Sequence, residues 1–144
     1  MQVVKVTLEK EYKFMYENFV VSTQHALYLL LEKKGGRVSA LKFDFLYFKY
    51  GTPNDEGIGS HPMAKFGLGF YDLFLVKESS WIAELSQQRK GNTAWDLYRG
   101  CDHYIATFKD VTLDVVSRGF EEITMSMEEL LDLITKEAES LSAD

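Results

Sequence analysis

Asp55, Glu56 and His61 fall within the run Tyr50-Gly51-Thr52-Pro53-Asn54-Asp55-Glu56-Gly57-Ile58-Gly59-Ser60-His61-Pro62. Two carboxylates and an imidazole are ligands suited to a divalent cation, and three of them leave coordination positions open for water. The spacing matches neither the helical histidine pair of zinc proteases nor a calcium loop of alternating acids. The same run also reads as a built turn. Pro53-Asn54-Asp55 suits Asx bonding, and Gly57 and Gly59 supply positive φ. On that reading Asp55 accepts backbone amides, and His61 bonds loop carbonyls or a carboxylate. A third use is contact with a ligand or partner, for which Tyr50, Asn54, Asp55, Glu56 and His61 are the candidate binding residues. A long ordered loop inside a small domain is usually functional or a packed Ω-loop.

A second constellation is Cys101-Asp102-His103. On a strand Cys101 and His103 point the same way, roughly 6–7 Å apart. That is too far for a thiolate–imidazole pair, and Cys101 reads as an inert, structural thiol. His25 heads an apolar run and reads as a boundary residue. Gly67-Leu68-Gly69 lacks the third glycine and the strand-to-helix setting of a dinucleotide loop. Ser22, Ser60 and Ser117 sit in no nucleophile-elbow pattern. The sequence thus assigns no catalytic residue, no metal site and no cofactor, and leans away from an enzyme.

The elements that must position these residues are mostly strands. Residues 2–8, 18–23, 26–31, 41–50 and 70–77 read as strands, as does a hairpin of 103–108 and 111–118 turning at Lys109-Asp110. Residues 26–31 also fit a helix capped by Thr23, but the turn Lys34-Gly35-Gly36-Arg37 pairs them with the next run as a hairpin. In 41–47 apolar residues alternate, placing Leu41, Phe43, Phe45 and Tyr47 on one face. Leu46, Phe48 and Tyr50 make the second face apolar, and the 50–69 loop is the nearest cover for it. Ser80 suits the cap of a short helix near 80–88, with Trp81, Ile82 and Leu85 inward. Residues 89–102 read as irregular, with Trp95, Leu97 and Tyr98 the apolar exceptions. Ser126-Met127-Glu128-Glu129 is a capping box opening a helix near 127–141, with Met125 and Leu130 as its staple. Its stripe of Met127, Leu130, Leu131, Ile134, Ala138 and Leu141 is expected to pack on the sheet. The predicted architecture is α+β: one domain, residues 1–144, with a curved, mainly antiparallel sheet, the short helix and the amphipathic C-terminal helix.

Composition agrees with a single folded unit. The chain has 144 residues, 46% apolar and 14% aromatic, enough for a core without staples and too apolar for disorder. One cysteine excludes an intrachain disulfide. The N-terminal residues form no apolar signal region, and the run 26–31 is too short to span a bilayer, so a cytoplasmic location with no membrane association is expected. The formal net charge of −6 is concentrated late in the chain. Residues 121–144 hold Glu121, Glu122, Glu128, Glu129, Asp132, Glu137, Glu139 and Asp144 against Lys136 alone. That is either a solvated helix face or an acidic dock for a basic partner. The aromatics around Phe43–Tyr50 are accompanied only by Lys42 and Lys49, so they read as core, and no nucleic-acid partner is expected.

Tyr-Gly-Thr-Pro-Asn-Asp-Glu at 50–56, His-Pro at 61–62, Ser-Ser-Trp-Ile-Ala-Glu-Leu at 79–85 and His-Tyr-Ile-Ala-Thr-Phe-Lys-Asp-Val-Thr-Leu at 103–113 together resemble a group of small uncharacterised bacterial proteins. These share a Tyr-Gly-x-Pro-Asn-Asp-Glu block, then His-Pro, then Ser-x-Trp-Ile. The resemblance covers about half the chain and implies the same strands, including the hairpin over 26–48. It implies no activity and no functional residues. The chain departs from the group at Ser60, where glycine is usual, and at Lys109, where a second histidine is usual. Together these readings predict a small acidic bacterial protein-binding module, of the immunity or accessory kind, with a protein partner. The alternative is a metal-binding protein or small metal-assisted hydrolase working through the 50–62 loop.

Overall fold

The computed structural model describes residues 1–88 and 97–143. Trp95 lies outside them. Among the described residues seven strands form one antiparallel sheet: β1 (Gln2–Lys5), β2 (Phe19–Ser22), β3 (Leu27–Lys34), β4 (Arg37–Gly51), β5 (Leu73–Lys77), β6 (Asp102–Thr107) and β7 (Thr112–Ser126). Their spatial order is β1-β5-β6-β7-β4-β3-β2. Two helices accompany them, α1 (Ser80–Gln88) and α2 (Met127–Glu139). This is an α+β fold, and no described helix is long and apolar enough to cross a membrane.

Local chemistry accounts for the two hairpins and the second helix. Gly35 and Gly36 turn β3 into β4 with φ of +58° and +77°, a pair of left-handed conformations that only glycine adopts freely. Lys109 and Asp110 turn β6 into β7, closed by the Phe108 amide donating to Val111 O at 3.0 Å. Ser126 Oγ accepts from the Glu129 amide at 3.0 Å, and Glu129 Oε1 accepts from the Ser126 amide at 3.2 Å, which completes the capping box. The strands differ in length from the sequence reading. β7 runs on through Gly119 to Ser126, because its partner β4 is equally long and pairs with it throughout.

One sheet face carries the main core. Leu27, Leu29, Leu41, Phe43, Leu73, Ala106, Leu113 and Val115 alternate onto it from five strands. The N-terminal segment covers this face, with Val6, Leu8, Tyr12 and Phe14 packed inward and Phe14 stacked on Phe108 at 5.2 Å. The opposite face has three separate covers. Met63 of the long loop packs with Val3, Phe74, Val76 and Ile105. Leu85 of α1 packs with Tyr98 and Val116. Leu130 of α2 packs with Leu30, Val38, Ala40 and Met125.

Three expectations fail here. Phe48 and Tyr50 do not form a second apolar face, because β4 slips its register between Phe43 and Phe45 and again between Phe45 and Tyr47. The first places its extra residue on β7 and leaves the alternation of β4 intact, whereas the second places it on β4 and changes the parity of the residues beyond Phe45. Phe45, Phe48 and Tyr50 therefore share the main core, and Tyr47 turns to the other face against Tyr98. The long loop covers residues of β1, β5 and β6 instead. Nor does the whole stripe of α2 pack on the sheet. Leu130 is 5% exposed, but Met127, Leu131, Ile134 and Leu141 are exposed, because α2 leaves the end of the central strand β7 with one buried anchor. The cap of α1 is Ser79 and not Ser80: its Oγ accepts from the Ile82 amide at 3.3 Å, and its carbonyl from the Ala83 amide.

Candidate functional site

The seam between the long loop and α1 opens onto the sheet at β6 and β7. His103 faces Val116 in the β6–β7 register and Ile105 faces Asp114, so His103 and Asp114 are diagonal neighbours on one face. Lys49 lies opposite Asp114 on β4. The loop brings His61 in from above. It is pinned at both ends of its Asx turn, where the Asp55 amide donates to Lys109 O at 2.8 Å and Thr112 Oγ1 donates to Pro53 O at 2.8 Å. The Asn54 side chain closes the turn by accepting from the Gly57 amide at 2.9 Å.

These elements converge on one carboxylate. His61 Nε2 lies 2.9 Å from Asp114 Oδ2, and His103 Nε2 lies 2.9 Å from Asp114 Oδ1. Both histidines are buried, His61 at 8% exposure and His103 at 2%. The Met63 amide donates to His61 Nδ1 at 3.0 Å, so that nitrogen carries no proton and Nε2–H donates to Asp114. His103 Nδ1 lies 2.8 Å from Ser79 Oγ. Burial pushes the Asp114 carboxyl up, but the hydrogen bonds from His103 and His61 outweigh it and hold it below the usual carboxylate range.

A pocket of about 410 Å³ lies over this centre. Its floor is His61, His103 and Asp114, and its walls include Lys49, Tyr50, Pro62, Met63, Trp81 and Glu84. Trp81 meets His103 edge-on at 5.1 Å, and Lys49 Nζ sits 4.3 Å from the Trp81 ring centroid. The pocket therefore pairs a polar, proton-bearing floor with an aromatic wall and one charge of each sign at its rim. Such a mixture is typical of small-molecule sites.

The sequence candidates separate in space. Tyr50 and His61 line the pocket, and the Tyr50 hydroxyl donates to Asn18 Oδ1 at 2.7 Å. Asn54 and Glu56 are exposed on the outer side of the loop. Among the described residues no backbone amide donates to the Asp55 side chain. Its Oδ2 accepts from the Tyr71 hydroxyl at 2.5 Å. Asp55, Glu56 and His61 are thus not gathered around a common point, and among the described residues no three His, Cys, Asp or Glu side chains are arranged to hold a metal ion. Cys101 precedes β6 and packs against the cluster of Leu85, Tyr98 and Val116, while both nitrogens of His103 are engaged elsewhere.

Asp114, Ser79, Trp81 and Lys49 complete the site, and sequence reading singled out none of them for chemistry. A signal for Asp114 was present. A hairpin turning at 109–110 sets 105 opposite 114 and 103 opposite 116, which places His103 and Asp114 on one face without any tertiary knowledge. No family model matches the chain, and no characterised protein or solved structure is detectably similar to it.

Proposed function

We propose that this protein binds a small polar molecule in the pocket over Asp114, and that the two histidines held by that carboxylate exchange hydrogen bonds or a proton with it. The observation that carries this reading is the convergence of two buried imidazoles on one carboxylate, itself 13% exposed, at the floor of a pocket. Burying three titratable groups together is costly unless their bonds are complete. A core serving only stability gains more from apolar side chains of the same size. Trp81 offers a flat apolar surface for a ring or chain, and Lys49 a charge for an acidic substituent. The test is a fragment library of small polar molecules, watched through the imidazole nitrogen signals of His61 and His103. Expected are shifts confined to these rings and Trp81, weakened by Trp81→Ala. Fragments that move none of them overturn the reading.

A second reading, the protein-binding module, is supported by α2. Leu131 and Ile134 are 58% and 45% exposed, on a helix that also bears Glu128, Glu129, Asp132, Glu137 and Glu139. Such a face suits a basic partner with an apolar ridge. A partner so held is released by Leu131→Glu with Ile134→Glu, and its affinity falls as salt rises. A partner insensitive to both is bound elsewhere.

A further inference from the structure

We propose that Ser79 is a nucleophile, with His103 as its general base, and that the protein transfers the acyl group of a small ester to water through an acyl-serine. The inference rests on the pocket reading, since it uses the same His103–Asp114 pair from its other side. Ser79 Oγ lies 2.8 Å from His103 Nδ1, and His103 Nε2 lies 2.9 Å from Asp114 Oδ1. Because Asp114 accepts a hydrogen bond from Nε2–H, Nδ1 presents its lone pair to the serine. The Ile82 amide donates to Ser79 Oγ, which leaves the hydroxyl hydrogen to point at Nδ1. Nucleophile, base and orienting carboxylate are thus in hydrogen-bond reach in that order, the arrangement that activates a serine.

The local backbone supports the same role. Ser79 stands between strand β5 and helix α1, directly after Glu78, whose φ is +55°. A non-glycine residue in the left-handed region marks stored strain, and a tight strand-to-helix turn is how a nucleophilic serine is presented above a sheet. The amino end of α1 favours negative charge growing on Oγ. Ser79 lines a second depression, of about 540 Å³, with Leu75, Val76, Ile82 and Ala83 as apolar neighbours and Lys77, Glu78 and Asp102 as charged ones. That surface offers a short acyl chain an apolar wall and a polar leaving group a charged rim.

The chemistry balances within the chain and water. Oγ bonds to the ester carbonyl carbon as its proton passes to His103 Nδ1, and the carbonyl π pair moves to oxygen. Collapse breaks the bond to the alkoxide, which takes the proton from Nδ1. Water then repeats the sequence, giving its proton to Nδ1 and releasing the acid while Oγ recovers the proton. Asp114 and His61 touch no substrate here. They are positioning residues, with His61 holding the second carboxylate oxygen.

The test uses the full chain and a fluorophosphonate probe, with the adduct located by peptide mass spectrometry. Expected is one adduct on Ser79, slowed about 100-fold by His103→Gln, as loss of a general base predicts. Ser79→Asn keeps a capping acceptor and should abolish the adduct while keeping the native circular dichroism. The wild-type adduct position decides the matter even if that variant unfolds. An adduct elsewhere, no adduct, or a rate unchanged by His103→Gln overturns the inference. If Ser79 stays unlabelled while fragments still shift the His61 and His103 signals, the nucleophile is wrong and the pocket reading stands. If both are silent, both fall.

Discussion

His61 and Asp114, 53 residues apart in the chain, meet through a hydrogen bond of 2.9 Å from Nε2 to Oδ2. The bond ties the long loop to β7, and with it one histidine from the loop and one from the sheet hold the same carboxylate. Its value to the fold is set by the buried groups that its removal would leave unpaired.

Asp114→Ala should destabilise the protein, because it strands two buried imidazole N–H donors at about 1–3 kcal/mol each. Urea unfolding at neutral pH measures this. His61→Ala strands one carboxylate oxygen and the buried Met63 amide, and should cost a comparable amount. A loss below about 1 kcal/mol for Asp114→Ala would mean that water replaces the carboxylate without penalty.

The depressed Asp114 carboxyl also predicts a pH dependence. A group titrating lower in the folded chain than in the unfolded one releases its proton more readily when folded. Its contribution is complete above the unfolded value, ordinarily 3.8, and is lost as pH falls through the lower folded value. The stability difference between wild type and Asp114→Asn should therefore be level just above the unfolded value and narrow as acid is added below it. Carbon NMR of the Asp114 carboxyl gives the midpoint directly, and one at or above the ordinary value contradicts the geometry.

Leu130→Ala should cost about 2–4 kcal/mol, since its side chain fills the α2 anchor. Leu131→Ala, one position on, should cost under about 1 kcal/mol, within the range of exposed substitutions. Paired denaturant curves settle the comparison. Equal losses would mean that α2 packs its whole stripe in solution.

Tyr71 should titrate above the ordinary phenol value, because its hydroxyl donates to Asp55, with burial and the Asp55 charge adding to the effect. The bond is present below that raised value and lost as pH rises through it. Asp55→Ala should return the Tyr71 midpoint toward 10.0, read from the labelled ring carbon by NMR. An unchanged midpoint would mean that Asp55 and Tyr71 are not bonded.

The hairpins, the α+β class and the start of α2 were legible in the sequence because each depends on near neighbours. Gly35-Gly36 turns a chain by its own torsions, and Ser126 finds Glu129 within one turn. The pairing of His103 with Asp114 was implicit in one of those hairpins. Arrival of His61 was not, since loop closure over tens of residues leaves no periodic trace.

Sequence alone determined roughly where the strands and helices lie and which of their residues are apolar. Tertiary structure decided which side meets a neighbour. Alternation in 41–50 cannot reveal where β4 slips, because a bulge is set by pairing with β7, and the one between Phe45 and Tyr47 reverses every later side chain of β4. Likewise the stripe of α2 is plain in the sequence, but amphipathicity states only that a face is apolar. Whether a sheet lies beneath it depends on where the helix leaves β7. Ser126 sits near the sheet's end, so Leu130 reaches the core and Leu131, Ile134 and Leu141 do not.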